Sequence, residues 1–457
     1  MFDSSIFKAY DIRGKYPETI DEDIAYRVGR AYAELVQSEN LGKKLQIVVG
    51  SDMRLSTPQL KEKVIQGLID SGINVVDIGL ATTPTFYFAV AYYGYDGGLQ
   101  VSASHNPKEW NGFKMVRRGA VPISGDTGIM EIRDMVEKNE FKDVKEKGII
   151  SKKENVIQDA VKVELNEWNV DLSKIKPLKI VIDAANAMGS IDVQEMFKGL
   201  PCELVKLNFE LDGSFPVHEA DPMKEENLKY LQDAVLEHKA DLGISIDGDA
   251  DRYFFVDEKG ESVMQAIIRG IMAQLALLEH PGETVCYDIR PGRITKDMIE
   301  ESGGKAFVTK VGHSLIKEAM IKNNAVFGGE SSGHYFYKFS FGTFEAPSVL
   351  TLRFLQFISE KNQKVSEIIA PYKKYFHSGE INFKVANSAD KIKEIAEKYK
   401  DADEVSFLDG VTITYDDWWF NSRGSNTETT ILRLTVEAKS KELMEEKRDE
   451  IARFIKI

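Results

Sequence analysis

Cysteine is almost missing from this chain: Cys202 and Cys286 are the two in 457 residues, and no Cys-x-x-Cys occurs. That excludes a disulfide framework and a thiolate zinc site. No uncharged apolar run approaches the roughly 18 residues that a membrane-crossing helix needs, so no membrane partner is expected. Positive charge is in deficit, with 59 Lys and Arg against 73 Asp and Glu and a formal net charge of -14. Neither nucleic acid nor an anionic membrane surface is therefore an expected partner. Ser104 does not sit in a Gly-x-Ser-x-Gly elbow, which argues against an α/β-hydrolase triad built on it. Met1-Phe2-Asp3-Ser4-Ser5 has no basic region leading into an apolar stretch, and a cytoplasmic protein is expected.

What is present is a globular composition, 43% apolar and 29% charged, long enough for three or four ordinary domains. Leu45-Gln46-Ile47-Val48-Val49 reads as a buried strand. Ser56-Thr57-Pro58 then starts a helix to about residue 71, with Pro at the first helical position. A strand at 73–78, a second helix start at Thr83-Pro84 and a strand at 98–101 complete a β-α-β-α-β order. The alternation recurs over 178–246, with a helix at 225–238, and again over about 264–327. Beyond 379, strands at 410–414 and 431–436 and an amphipathic helix carrying Leu443, Met444, Ile451 and Phe454 indicate a smaller α+β unit. The expected architecture is three consecutive mixed-sheet α/β domains, 1–150, 151–257 and 258–370, and an α+β domain, 371–457. The joints fall near 142–154 and 373–377.

Asp247-Gly248-Asp249-Ala250-Asp251 closes the apolar run Leu242-Gly243-Ile244-Ser245-Ile246, and Arg252 follows. Two carboxylates about 4 Å apart repel by roughly 4 kcal/mol at an effective dielectric near 20. Three on one turn need solvent or a cation. A solvated acidic turn is one reading; the other is a hard ion such as Mg2+, which all-oxygen ligation favours over Zn2+. An EF-hand would put Glu258 at its last ligand position, but Arg252 stands where that loop needs Gly, and the flanks read as strands. Ser102-Ala103-Ser104-His105-Asn106-Pro107 lies where a strand ends. Ligands bind beyond the carboxyl ends of strands in open α/β sheets, so Ser104 is a candidate nucleophile, against the plain alternative of a Ser-rich turn before Pro.

Four signatures then occur in order: Ser104-His105-Asn106-Pro107 with Asn111-Gly112-Phe113-Lys114, Asp247 to Arg252, Gly329-Glu330-Ser331-Ser332-Gly333-His334, and Arg423-Gly424-Ser425-Asn426-Thr427-Glu428. Supporting stretches are Phe7 to Gly14, Val49 to Ser56 and Lys310 to Lys317. The set resembles the α-D-phosphohexomutase superfamily, nearest its bacterial and archaeal phosphomannomutase/phosphoglucomutase branch.

The resemblance implies domains around a central cleft and exchange of phosphate between C1 and C6 of a hexose, mannose or glucose. It implies a phosphoserine at Ser104, Mg2+ held by Asp247, Asp249 and Asp251 against that phosphate, and a hexose 1,6-bisphosphate as intermediate and activator. Glu330 and Ser332 match sugar-hydroxyl contacts; Arg423, Ser425, Asn426 and Thr427 match the grip on the distal phosphate. Lys114 with Arg13 is favoured over His334 for proton transfer, and His105 orients Ser104 or its phosphate. His313 matches a ligand contact, Tyr10 and Arg252 match cleft residues, and Arg290 stands where a contacting Lys is expected. Ser331, Phe341-Gly342-Thr343-Phe344 and Thr429 depart from the family pattern, while residues 423–427 favour a hexose over glucosamine. The alternatives are a phosphoglucosamine mutase, a sugar-phosphate phosphatase and a silent sugar-phosphate binder. The expected partners are hexose phosphates, and the expected state is a monomer or weak homo-oligomer.

Overall fold

The computed structural model describes residues 2–290, 292–425 and 430–456. They form two compact units, Met1–Val263 with Ser332–Ile368, and Met264–Ser331 with Ile369–Ile457.

The first unit opens with strands β1 (Ile12–Lys15), β2 (Gln46–Ser51), β3 (Asn74–Leu80), β4 (Gly97–Val101), β5 (Trp110–Arg117), β6 (Val121–Pro122) and β7 (Ile150–Lys152). Their order is β1-β5-β4-β2-β3-β7, with β6 beside β5. β2 runs parallel to β3 and β4, whereas β5 lies antiparallel between β4 and β1. Helices cover both faces of this sheet, so the middle of β2 is apolar without alternation and Ile47, Val48 and Val49 are wholly buried. Val28, Ala31, Leu60, Val64 and Leu68, from helices Glu22–Glu39 and Thr57–Asp70, join Ile47, Val49, Leu99 and Val101 in one core. Helix Thr83–Tyr92 is buried from Thr83 to Ala91, as a helix apolar on every side must be. Thr82 caps it by accepting from Thr85 N at 3.2 Å.

The second sheet of this unit contains β8 (Lys179–Asp183), β9 (Glu203–Leu207), β10 (Leu242–Ile246) and β11 (Tyr253–Asp257), in the order β11-β10-β8-β9. β10 is parallel to β8 and antiparallel to β11, so residues 247–252 are the turn of a hairpin. Helix Glu225–His238 packs Leu228, Leu231 and Val235 against Val181 and Val256. A further hairpin, Tyr335–Phe339 with Gly342–Glu345, and helix Pro347–Lys361 complete the unit.

In the second unit, strand Thr284–Asp288 lies parallel between Lys305–Thr309 and Phe327–Gly329. An antiparallel sheet is built on Trp418–Gly424 and Ile431–Ala438, and helices Ser388–Lys398 and Lys441–Lys456 cover it with Ile395 and Ile451 over Phe420, Leu434 and Val436. This is the expected class, α/β regions followed by an α+β one. The helix expected from 56 to 71 is Thr57–Asp70, and the strand expected at 431–436 runs on to Ala438. Among the described residues no helix is long and apolar enough to cross a membrane.

Candidate active site

Ser104 sits in the loop that joins β4 to β5. Ser102 N still bonds Gly112 O across the strands at 3.0 Å, after which the chain turns. Ser104 takes a left-handed φ of 51°, uncommon for a residue with a Cβ. Its Oγ donates to Asp247 Oδ2 at 3.0 Å and lies 3.1 Å from His105 Nδ1. Since the one hydroxyl proton goes to Asp247, the tautomer of His105 that complements Oγ carries hydrogen on Nδ1. Burial, together with the cations Arg252 and Arg13, holds the His105 pKa well below the usual imidazole range.

The carboxylate turn explains its own spacing. Asp247 Oδ1 accepts from Asp251 N at 3.1 Å and Arg252 N at 3.2 Å, which closes the loop on its first residue. A Cβ on Gly248 would stand 2.2 Å from Ser104 O, so only glycine lets the two loops meet. Asp249 is tied to the helix beginning at Thr83 twice, through its carbonyl to Thr83 N at 2.9 Å and through Oδ2 to Thr83 Oγ1 at 2.5 Å. Asp247, Asp249 and Asp251 are all buried and offer ligand oxygens within 4.8 Å of one another.

Lys114 brings a cation into this cluster from β5, where it faces Gln100 of β4. Its Nζ is 2.6 Å from Asp249 Oδ2 and 2.7 Å from Asp251 Oδ2. Burial opposes the charge on Lys114, but Asp249 and Asp251 hold its pKa well above the usual lysine value. Burial and the neighbouring Asp251 and Asp249 push Asp247 well up. Asp251 is buried too, yet Lys114 and His334 keep it well below the carboxylate range. His334 Nε2 lies 3.2 Å from Asp251 Oδ1. Its Nδ1 is 3.0 Å from Ser332 Oγ, and Arg252 Nε reaches Nε2 at 3.3 Å.

The donor set fits a hard divalent cation. All its atoms are oxygens, and Asp249 Oδ1 is buried with no hydrogen-bond partner among the described residues. Such an orphan acceptor costs about 1–3 kcal/mol, a cost that Mg2+ on these three carboxylates would remove. Arg13, on β1 opposite Gly112, donates to Asp11 Oδ2 at 2.6 Å and to Asn106 Oδ1 at 2.5 Å, which places it on the serine loop. Tyr10, just ahead of β1, is half-buried.

Sequence reasoning assigned no individual part in the site to Arg54, Thr83 or Asn111. Arg54 lies inside the stretch Val49 to Ser56, and its burial is the signal that a one-dimensional reading lacks. Asn111 donates to Ser56 Oγ at 2.8 Å and Thr57 Oγ1 at 2.9 Å, fixing the start of β5 to a helix N-terminus.

In the second unit, Glu330 Oε1 accepts from Arg290 Nη2 at 2.9 Å and Gly312 N at 3.1 Å. Arg290 also pairs with Asp288, which accepts from Ser331 N at 3.0 Å and Ser331 Oγ at 2.9 Å. His313 follows Gly312 as the first residue of helix His313–Lys322. Arg423 stands opposite Arg433 on the neighbouring strand, and both reach Glu380, at 2.5 and 3.2 Å. Ser425 N bonds Ile431 O at 2.9 Å; Asn426, Thr427 and Thr429 lie outside the described residues. His218 pairs with Asp183 at 2.9 Å and stacks on Tyr230, a structural role.

Ser104, His105, Lys114, Arg13, the three aspartates, Arg252, Ser332 and His334 are thus gathered in the first unit. Glu330 with Arg290, and Arg423 beside Ser425, are held within the second.

Comparison with known proteins gives four consecutive matches to the phosphoglucomutase/phosphomannomutase descriptions: alpha/beta/alpha domain I over residues 4–143, domain II over 159–260, domain III over 259–375 and the C-terminal domain over 380–454. A phosphomannomutase of Vibrio cholerae is 40% identical over 465 residues, covering 100% of this chain and 99% of that protein. A protein of Xanthomonas campestris named phosphohexose mutases is 37% identical, covering 98% and 99%. The crystal structure of a phosphoglucomutase/phosphomannomutase family protein from Burkholderia thailandensis matches with a TM-score of 0.90 at 32% identity, over 99% of this chain and 97% of that one. By these matches over its whole length the chain belongs to the phosphoglucomutase/phosphomannomutase family and is a mutase of the isomerase class.

Proposed function

We propose that the protein interconverts hexose 1-phosphate and hexose 6-phosphate through phospho-Ser104 and a hexose 1,6-bisphosphate, with Mg2+ on Asp247, Asp249 and Asp251. The observation that carries this reading is the contact of Ser104 Oγ with Asp247 inside a buried carboxylate triplet. Mg2+ there would neutralise charge on the transferring phosphoryl group, where a loose transition state gains most.

In the forward half-reaction the bond from phosphorus to Ser104 Oγ breaks as one to the sugar oxygen forms, and a proton passes from that oxygen to Oγ. Asp247 and His105 are in place to bond the regenerated hydroxyl. The return half-reaction reverses these changes at the other end of the sugar. Lys114 with Arg13 is proposed to move the proton. Held protonated by Asp249 and Asp251, Lys114 is set as the acid that serves a departing sugar oxygen. Glu330 and Ser332 are proposed to recognise sugar hydroxyls, and Arg423 with Ser425, Asn426 and Thr427 the phosphate that is not reacting. Mannose phosphates are the proposed preferred pair, because relatives at up to 40% identity are named phosphomannomutase; the cytoplasm is the proposed location.

Ser104→Ala should abolish interconversion of mannose 1- and 6-phosphate, and undiminished turnover would remove the reading. Inorganic phosphate released without isomerised sugar would mark a phosphatase instead. Comparing kcat/KM for mannose, glucose and glucosamine phosphates tests the sugar preference.

A further inference from the structure

Arg54 is 1% exposed and its guanidinium faces carbonyl oxygens of the serine loop. Nη2 donates to Ser104 O at 2.7 Å and Asn106 O at 2.6 Å, and Nη1 donates to Pro107 O at 2.7 Å and Trp110 O at 3.0 Å. Nε is 3.2 Å from Asp52 Oδ2, while Asp52 Oδ1 is fixed by Arg54 N at 3.0 Å and Thr57 Oγ1 at 2.6 Å. The ring of Phe215 covers the guanidinium at 5.0 Å, and Gly213 packs on the backbone at Met53, Arg54 and Leu55.

We propose that Arg54 is a positioning residue for phosphoryl transfer, the cation that gathers the carbonyls of Ser104, Asn106, Pro107 and Trp110 inward and so holds Ser104 Oγ outward onto Asp247. The inference rests on the phosphoserine reading above.

Three features carry it. The left-handed backbone at Ser104 is unfavourable for a serine and persists only where its surroundings impose it. Ser104 O is the atom they act on, since it accepts from Arg54 on one side and meets the Gly248 backbone on the other. The positive charge of Arg54 is answered by Asp52, so what it supplies to the reaction is geometry. A lysine in its place keeps the charge but has three donors on one nitrogen, too few and too close together to serve four carbonyls and an aspartate.

The test uses full-length wild-type and Arg54→Lys protein with Mg2+ and glucose 1,6-bisphosphate. It follows the gain of phosphate on Ser104 by intact mass, steady-state kcat and KM, and a thermal melt. A folded variant with KM within about twofold of wild type, and with kcat and the phosphorylation rate both down roughly a hundredfold, is the expected result. Wild-type phosphorylation rates in folded Arg54→Lys protein, or a loss that falls on KM with kcat retained, would overturn the proposal. Should Arg54→Lys not fold, Phe215→Leu withdraws only the ring that covers the guanidinium. It is expected to lower kcat about tenfold at constant KM, and an unchanged kcat there overturns the proposal equally. Wild-type protein that never takes phosphate on Ser104 would remove the phosphoserine reading itself, whereas equal labelling of wild type and variant would remove the role of Arg54 alone.

Discussion

Lys114 is the counter-charge that allows Asp249 and Asp251 to be buried together, at 2.6 and 2.7 Å. Removing one partner of a buried ion pair costs about 3–5 kcal/mol, because the remaining charge is left unsolvated. Lys114→Met is therefore expected to lower the melting temperature sharply in EDTA, and Mg2+ should restore more stability to the variant than it adds to wild type. Thermal melts of both proteins with and without Mg2+ check this; equal Mg2+ effects would argue against a shared carboxylate site. The aspartates and Ser104 were legible in the sequence because each motif is local, with its chemistry written in neighbouring residues. The ion pair was not, because Lys114 and Asp249 are 135 positions apart, one on β5 and the other on the β10–β11 turn of a different sheet. Arg54 was hidden for the same reason: its partners are backbone carbonyls, which carry no residue-type signal.

At the level of elements, the site is two loops in backbone contact, the turn of the β10–β11 hairpin against the loop after β4. The sequence showed the strands through their apolar runs and the helix starts through Ser56-Thr57-Pro58 and Thr83-Pro84. It did not show why the acidic turn reads Asp-Gly-Asp-Ala-Asp. Gly248 is required by the Ser104 carbonyl 2.2 Å from where its Cβ would be, and Ala250 takes a φ of 62°. Gly248→Ala must part the loops, since the opposing atom is backbone and cannot rotate away. The expected outcome is a kcat loss of about a hundredfold or more with secondary structure retained. Steady-state assay beside far-UV circular dichroism measures it, and a fully active Gly248→Ala protein would show that loop contact is dispensable. Gly79, whose added Cβ meets nothing within 4 Å, is the companion position. Its φ of 73° makes Gly79→Ala a backbone-strain control at a position where no atom opposes the added Cβ.

Across the first unit as a whole, four helices converge on two carboxyl groups that have no cation among the described residues. Glu164, from helix Val156–Glu167, accepts from Ser348 at the start of helix Pro347–Lys361. Asp192, from helix Gly189–Met196, accepts from Thr82 Oγ1 at 2.7 Å and Thr85 Oγ1 at 3.4 Å beside helix Thr83–Tyr92. Burial outweighs these bonds and raises Glu164 to about 8 and Asp192 to about 7. Both folded values lie above the unfolded ones, so between roughly pH 4 and pH 8 the folded chain keeps protons that the unfolded chain has released. Stability must then fall as pH rises through this window and level off above it. For Glu164 alone the loss by pH 8 is on the order of 4 kcal/mol. Glu164→Gln keeps an acceptor for Ser348 and abolishes the titration. Urea unfolding should therefore find variant and wild type nearly equal at pH 5 and the variant more stable at pH 8.5. Groups titrating elsewhere, the depressed Asp251 among them, are common to both proteins and cancel in the difference. Parallel pH dependences would mean that Glu164 ionises in the folded state as readily as in water, and the buried junction of helices would then have to admit solvent.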